Sequence, residues 1–302
     1  MSVKAVEPVE DIGQWRNNSG FARAVAMTQR VLHQPLAIPA LLVVLLVVVA
    51  AVFSPLLAPY DPIAQSPYAT LQPPSWAHWL GTDQLGRDVL SRLIYGSRVA
   101  LIVGFGAVAI GVIVGMPLGL VSGYLGGIVD DIIMRIVDAL VAFPGLILTL
   151  GLVAALGRNL TNLVLAIGIA NIPWIARIVR GQVLSFRELD YIQAARSIGA
   201  GHLRIMLAHI WPNTLAPVIV QSTLGLGYAV LTEASLSFIG AGISPPTATW
   251  GSMLQFAFGF LNRAPLLSIV PGIAIFMLVL AFNMLGDILR DVLDPRMRGS
   301  VN

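Results

Sequence analysis

Side chains suited to catalysis or metal binding are sparse in this sequence and do not gather into a recognisable set. There is no cysteine, and the four histidines form neither an HExxH motif nor a pair four residues apart: His33, His78, His202 and His209. Zinc sites depend on such Cys and His spacings. No G-x-S-x-G motif occurs, and no carboxylate pair lies inside an apolar stretch. We therefore predict no metal site and no catalytic residues, so the chain is not expected to be an enzyme.

A P-loop is excluded by the scarcity of lysine, because Lys4 is the only one. A Walker A loop needs a lysine after its glycines to hold the phosphates of a nucleotide. If the chain uses the energy of ATP, another subunit must bind the nucleotide. We predict no cofactor in this chain.

Glu233 is the only acid well inside the apolar stretch 214–239. An ionisable residue in a membrane is costly and often functional. Counted from Asn213, about 20 residues of helix bring it near the far interface. Two interpretations are equally supported: a pathway or gate residue, or an interfacial or packing glutamate that reaches water.

The segment DYIQAARSIGAGHLRIMLAHIWPN, residues 190–213, is polar although it lies between two apolar stretches. Its apolar positions recur every three residues and predict a short helix with one apolar face: Leu189, Ile192, Ala195 and Ile198. Gly199 and Gly201 predict a sharp turn, and Pro212 suits the first turn of the next helix. We expect this helix to lie across the cytoplasmic mouth of a bundle. A plain interfacial helix is the alternative, but its small alanine face better suits a groove on a protein partner.

Composition places most of the chain in lipid. Hydrophobic residues make up 57% and charged residues 11%, whereas soluble domains carry roughly a quarter charged residues. Each apolar stretch is about 19–26 residues, enough to cross roughly 30 Å of hydrocarbon as a helix. We predict an all-α, polytopic protein with six transmembrane helices, near 36–58, 99–123, 132–156, 161–179, 214–239 and 266–286.

Lysine and arginine predict the orientation, since they are enriched on the cytoplasmic side. With both termini inside, thirteen basic residues are cytoplasmic and five are outside: Arg87, Arg92, Arg98, Arg158 and Arg263. The pI of about 9.6 is thus a topology signal and not evidence for nucleic-acid binding. The first stretch is too long for a signal peptide.

These stretches divide the chain into a cytoplasmic N-terminal segment, 1–35, a membrane domain, 36–289, and a cytoplasmic tail, 290–302. The domain contains outer loops at 59–98 and 240–265 and a cytoplasmic loop at 182–212. In the first outer loop we expect a short interfacial helix from Asp83, with two tryptophans at headgroup depth: Trp76 and Trp79. Glycines recur near one face of the second stretch, which favours close helix packing over a substrate role: Gly104, Gly106, Gly111, Gly115 and Gly119.

The spacing in the cytoplasmic loop resembles the EAA loop of bacterial ABC importer permeases. In that family Glu-Ala-Ala is followed by Gly four residues after the second Ala, and then by a helix that ends at Pro. The matching positions are held by Gln193, Ala194, Ala195, Gly199 and Pro212. Gln193 replaces the glutamate, His209 a usual isoleucine and Trp211 a usual leucine. The shape of the loop should therefore be kept, whereas a salt bridge made by the glutamate has no counterpart here.

Further motifs extend the resemblance over about 36–299, to the second permease subunit of the dipeptide/oligopeptide/nickel subfamily. They are HWLGTDQLGRDVLSRLIYGSRVAL at 78–101, IIMRIVDALVAFPG at 132–145, ASLSFIGAGISPPTATWGSML at 234–254 and PGIAIFMLVLAFNMLGDILRDVLDPRMRG at 271–299. The subfamily handles di- and oligopeptides, glutathione-like peptides, nickel and some glycosides.

The resemblance implies the type I ABC importer permease fold in a bacterial cytoplasmic membrane. It implies a heterodimer with a similar permease subunit, an extracytoplasmic solute-binding protein, and two cytoplasmic ATPases that bind ATP and Mg²⁺. An ATPase groove would receive the loop, whose matching residues are Asp190, Gln193, Ala194, Ala195, Gly199, His209 and Pro212. The alternative is a self-contained secondary transporter or channel, which would need intramembrane ion ligands, broken helices or inverted repeats.

Overall fold

The computed structural model describes Val31 and residues 34–293, and the regular structure of this range is helical. The helices are α1 (Ala37–Val52), α2 (Ser54–Leu57), α3 (Val89–Leu125), α4 (Gly127–Val141), α5 (Gly145–Leu156), α6 (Leu160–Phe186), α7 (Asp190–Ser197), α8 (His202–Phe238), α9 (Trp250–Phe258) and α10 (Leu266–Leu293). The all-α prediction is confirmed for these residues. Lys4, His33 and most of the predicted segments 1–35 and 290–302 lie outside the described residues.

Four of these helices are long and apolar enough to cross a membrane: α3, α6, α8 and α10. The pair α4 and α5 would be a fifth span if it crosses as one unit, although it bends by 88°. Helix α1 is apolar but has only 16 residues. Each of the six predicted stretches therefore contains an apolar helix or helix pair, but by length and composition the described residues supply four or five spans.

The third predicted span is not one straight helix. Pro144 precedes α5 in an extended conformation, with ψ at 130°. Proline disfavours helical geometry at the residue before it and has no N–H to continue a helix. The chain therefore turns sharply between α4 and α5.

Helix α3 begins earlier than predicted and runs for 37 residues. Asp88 caps its first turn, since its side chain accepts the Ser91 N–H at 2.7 Å. Asp83 lies in the preceding turn, where its Oδ1 accepts the N–H groups of Leu85 and Arg87. The prediction of a separate interfacial helix from Asp83 is therefore wrong, because the helical residues of that region are the first turns of α3.

Helices α3 and α6 approach each other along a row of glycines on α3. A Cβ added to Gly115 would lie 2.7 Å from the Ile172 carbonyl oxygen, and one added to Gly123 would lie 2.9 Å from Val183 Cβ. A Cβ added to Gly119 would likewise collide with the Ala176 carbonyl oxygen. Only the absence of side chains permits this contact, which agrees with the packing role expected of the glycine face.

The second outer loop contains a helix that the sequence analysis missed. Helix α9 begins at a capping box, in which Thr249 and Ser252 exchange side-chain and backbone hydrogen bonds. Trp250 is 3% exposed, and its Nε1–H donates to the Leu93 carbonyl of α3 at 2.9 Å. Helix α9 is thus held against the first turns of α3, at the end of the bundle where α8 also finishes.

Candidate functional site

Helix α7 and the turn that ends it lie at the centre of the candidate loop, residues 182–212. The turn is a Schellman motif: the Gly199 N–H donates to the Arg196 carbonyl at 2.9 Å, and the Ala200 N–H donates to the Ala195 carbonyl at 3.0 Å. Gly199 has a φ of +81°, which side chains with a Cβ adopt only at a cost. An added Cβ would meet nothing within 4 Å. The backbone angle alone therefore selects glycine at this turn.

One side chain of α7 anchors the loop on the bundle. Ile192 is fully buried. It belongs to an apolar cluster with side chains of α3, α6 and α8: Leu120, Tyr124, Val179, Val183, Ile205 and Ile210. Burial of such a side chain stabilises by about 1.5–3 kcal/mol. The loop therefore packs as one unit with the ends of α3 and α6.

The four positions predicted to form one apolar face do not share an environment. Ile192 is buried, whereas Leu189 is 43% exposed and Ile198 is 87% exposed. A step of three residues advances about 300° around a helix, so successive positions drift by about 60°. Ile198 also lies just beyond the last residue of α7. The prediction of a single apolar face is wrong, and the exposed members remain accessible to another protein.

Polar contacts add to this anchor around the last residues of α3. The Tyr124 hydroxyl lies 3.1 Å from His202 Nδ1, and the guanidinium of Arg196 lies 5.2 Å from the centre of the Tyr124 ring. Arg187 Nη1 donates to the Gly123 carbonyl at 3.1 Å. Residues before, within and after α7 therefore all contact the same end of α3.

Ion pairs tie α4 to α6 beside the loop. Arg180 donates through Nε and Nη2 to the two carboxylate oxygens of Asp130, at 2.7 and 2.6 Å. Arg177 Nη2 donates to Asp138 at 2.6 Å. Paired hydrogen bonds of this kind fix the angle between their partners. Asp130 lies in the first turn of α4, and it also holds α6.

Pro212 lies in the first turn of the α-helical part of α8, Trp211–Phe238, as predicted. The helix itself extends further back, to His202, with a π turn at Ile205–Ile210 that ends two residues before the proline. The Trp211 N–H donates to the Met206 carbonyl, five residues back. Proline has no N–H for the usual bond four residues back, and the wider turn lies where that bond is missing. The loop therefore leads into the span without a break in the helix.

The residues predicted to contact a partner lie at the surface of the loop. Asp190, Gln193, Ala194, Gly199 and Pro212 are exposed, and Ala195 and His209 are partly buried. Two further apolar side chains lie beside them and were not among the predicted residues. Leu203 is 69% exposed and Leu207 is 56% exposed. Their spacing of four residues places both on one side of the helix, and this signal was available in the sequence.

A cavity of about 590 Å³ opens at the same end of the bundle. Residues of α6, α8 and α10 line it, and its polar members are Gln182, Asn213, Gln221, Asp287 and Arg290. Among the described residues, no group of three or more His, Asp or Glu side chains is placed to hold a metal ion. This end of the bundle thus has a cavity with both polar and apolar walls and, beside it, an exposed apolar surface.

Glu233 lies near the other end of α8 and is 2% exposed. Its Oε1 accepts a hydrogen bond from Ser237 Oγ at 2.7 Å. A Cβ on Gly251 of α9 would lie 2.5 Å from the carbonyl of the neighbouring Ala234, so α9 packs closely on this part of α8. In this structure the Glu233 side chain therefore does not reach water, contrary to the second interpretation.

Comparison with known protein families finds two matches in this chain. Residues 115–299 match the family described as binding-protein-dependent transport system inner membrane component. Residues 26–74 match the N-terminal TM domain of oligopeptide transport permease C. The first match contains the whole candidate loop and the spans on both sides of it.

Curated relatives resemble the chain over most of its length. The dipeptide transport system permease protein DppC of Alkalihalophilus pseudofirmus is 45% identical over 263 residues, which cover 87% of this chain and 86% of the relative. The glutathione transport system permease protein GsiD of Escherichia coli O157:H7 is 44% identical over 272 residues, 90% of each chain.

Two solved structures share the fold. A chain of the inward-facing MetNI methionine ABC transporter has a TM-score of 0.54 at 21% identity, over 67% of this chain and 97% of its own. A chain of an amino acid ABC transporter has a TM-score of 0.53 at 21% identity, over 68% and 95%. At these identities the likeness concerns the arrangement of helices.

Proposed function

This chain belongs to the family of binding-protein-dependent transport system inner membrane components, and from that premise we propose that its candidate loop couples a partner ATPase to transport. The observation that carries the proposal is the two-sided character of the loop. Ile192 is buried against the spans, while Ile198, Leu203 and Leu207 are exposed. A force applied to the exposed side is transmitted to α3, α6 and α8 through packed contacts.

The partners follow from the same premise. Two cytoplasmic ATPases bind ATP and Mg²⁺, a second permease subunit completes the path, and an extracytoplasmic binding protein delivers the solute. Nucleotide can drive such a transporter only if it binds one conformation better than the other. This subunit contributes the coupling loop and half of the path, and it binds no cofactor.

The proposed solute is a di- or oligopeptide or a related small solute. Support comes from the relatives, which are named as dipeptide and glutathione permeases. The proposed location is a bacterial cytoplasmic membrane, with both termini and the candidate loop in the cytoplasm. The predicted outer loops, 59–98 and 240–265, then face the outside, except for the residues from Val89 onward that belong to α3.

We propose that Glu233 acts as a gate residue. Its carboxylate lies in the outer part of α8 and hydrogen-bonds Ser237, and α9 packs on the neighbouring turn. An outward-opening movement of α9 would expose this carboxylate to the path. In the conformation described here it is closed off from solvent.

The turn at Gly199 provides the direct test of coupling. Gly199→Val forces a β-branched side chain into the left-handed region, at a cost of about 1–3 kcal/mol, and changes the path of the loop. We expect ATP-driven uptake to be lost in cells while the protein still inserts and assembles. Normal uptake and normal substrate-stimulated ATPase activity in this variant would contradict the coupling role.

Two variants serve as matched controls. Gly199→Asn has similar bulk, but asparagine tolerates positive φ, so most of the uptake should remain. Gly201→Ala changes a glycine that has an ordinary φ of −65° and open space around it, and it should behave as the wild type. Equal loss in all three variants would show that the backbone angle is not the cause.

A further inference from the structure

A cavity rich in arginine lies at the end of the bundle opposite the candidate loop. Its volume is about 250 Å³, and the start of α3, residues 240–247 and α9 surround it. Three guanidinium groups line it, together with hydroxyl and amide side chains: Arg87, Arg92, Arg158, Ser237, Thr247, Ser252 and Gln255. No carboxylate is among its lining residues. The charged groups of the cavity are therefore all positive, and apolar side chains such as Ile243 and Phe256 complete its wall.

Two of these arginines are buried and share one carboxylate. Arg87 is 3% exposed and Arg92 is 2% exposed. Arg87 Nε donates to Asp83 Oδ2 at 2.6 Å, whereas Arg92 Nε lies 3.7 Å from the same oxygen. Arg92 Nη1 donates to the Pro62 carbonyl at 3.0 Å. One negative charge therefore faces two buried positive charges, and an uncompensated buried charge is costly.

Glu233 is the other acid near this cavity. It contacts the lining residue Ser237, but among the described residues it forms no ion pair with any of the three arginines. In this arrangement the Glu233 carboxylate therefore does not pair with the arginines. The cavity keeps an excess of positive charge.

The guanidinium of Arg87 also has an unused donor. Arg87 Nη2 is buried without a hydrogen-bond partner among the described residues, as is Gln84 Oε1. Both residues line an adjoining space of about 10 Å³, which has room for about one water. One water could join the two atoms, but Nη2 carries two N–H groups. One of these N–H groups therefore remains unpaired beside the cavity.

Arg158 lies at the exposed rim of the cavity. Its Nε donates to the Gly242 carbonyl at 3.3 Å, which holds the side chain beside the loop at 240–247. Its terminal nitrogens make no hydrogen bond among the described residues. They are free to meet an anion that enters from outside, while Arg87 and Arg92 lie deeper.

We propose that this cavity binds a carboxylate that arrives at the outer face. Guanidinium groups bind planar oxyanions through paired hydrogen bonds. The volume is below the roughly 300–1,000 Å³ of sites that enclose a whole small molecule, so it suits a charged terminus. The proposal rests on the proposed function for the orientation of the chain. The carboxylate belongs either to the solute or to an acidic side chain of the binding protein.

The test uses the complete permease–ATPase assembly in nanodiscs. N-acetyl-alanyl-alanine and its C-terminal amide are titrated separately, and the thermal unfolding midpoint is followed, because a ligand of the folded state raises it. We expect the acid to raise the midpoint and the amide to have no effect. Arg158→Gln should weaken the apparent affinity for the acid about tenfold, as expected for one lost charged hydrogen bond.

Arg263→Gln is the matched control, because Arg263 is an exposed arginine at the same end but outside the cavity. It should bind the acid as the wild type does. A second arm measures docking of the solute-free binding protein to the assembly. If Arg158→Gln weakens that docking and Arg263→Gln does not, while the peptide acid has no effect, the carboxylate comes from the binding protein.

The proposal is overturned if acid and amide act alike and Arg158→Gln changes neither the titration nor the docking. These measurements need no transport. A failure of the coupling role at Gly199 would therefore leave them unaffected, and a negative result here would leave ATP-driven uptake intact. The two proposals fail separately.

Discussion

Ile192 and Ile198 are six residues apart in the candidate loop and have opposite environments. Ile192 is fully buried among the ends of α3, α6 and α8, whereas Ile198 is 87% exposed. Their side chains are chemically identical, so the difference comes only from position. The loop thus packs on the spans through one isoleucine and leaves another exposed, which the proposed function uses for docking.

Alanine substitutions separate these two roles. Ile192→Ala leaves a cavity and should lower the free energy of unfolding by about 2–5 kcal/mol, which thermal unfolding of the purified protein measures. Ile198→Ala should leave that stability within about 0.5 kcal/mol but weaken association with the ATPases. Pull-down of the ATPases from detergent-solubilised membranes measures this association. The interpretation fails if Ile198→Ala lowers stability as much as Ile192→Ala does.

Gln193 is exposed, so the structure of the loop does not depend on a charge at this position. The Schellman turn and the Ile192 anchor form without the family's glutamate. The shape expected from the glycine spacing is present, and the loop keeps it through backbone hydrogen bonds and apolar burial.

At the scale of elements, the contact between α3 and α6 organises the bundle. This contact depends on glycines, because a side chain at these positions would collide with the facing helix. A Cβ added to Gly119, for example, would lie 2.8 Å from Val179 Cβ. Helix α7 packs against the same two helices at one end, and α9 packs against α3 at the other end. Movement of the loop relative to the spans must therefore involve this pair.

Gly119→Ala should destabilise the protein, because backbone atoms of α6 would have to move to admit the methyl group. Gly104→Ala is the control on the same helix, since its nearest neighbour would lie at an ordinary 3.5 Å. Alanine favours a helix over glycine by about 1 kcal/mol, so the control should be neutral or slightly stabilising. Thermal unfolding in detergent compares the two variants. If the two variants were equally stable, the close approach of α3 and α6 at Gly119 would be excluded.

Several boundaries could not be predicted from the sequence at this scale. The apolar pattern locates α3, but its polar first turns predict a separate helix, because Arg92 and Ser91 are not typical of a membrane span. Both are buried by tertiary contacts, with Arg92 held by the Pro62 carbonyl. Helix α9 was missed because a short helix between polar turns has little periodicity, although its Thr249–Ser252 capping box could have indicated it.

At the scale of the whole molecule, the chain is one part of an assembly. Its family and its relatives are transport permeases, and the apolar surface on its loop remains uncovered in the single chain. The bend between α4 and α5 is a feature that a secondary transporter would also use. Reconstitution separates the two interpretations.

We expect no solute transport by the purified chain alone in proteoliposomes. Addition of the second permease, the ATPases, the binding protein and ATP should produce uptake that stops when ATP is withheld. Radiolabelled dipeptide taken up into the vesicles is the measurement, and vesicles with a hydrolysis-deficient ATPase are the control. Transport by the isolated chain along an ion gradient would support the secondary transporter instead.

The sequence alone determined the membrane class, the approximate positions of the apolar helices, the absence of a P-loop lysine and the position of the candidate loop. These features depend on composition and on residues close together in the chain, such as Ala195, Gly199 and Pro212. Only the tertiary structure decided which of the loop's apolar residues are buried. It also brought Arg87 and Arg92 to the same cavity as Arg158, far away in the chain. Helical periodicity is a local property, whereas burial and charge balance depend on which elements meet.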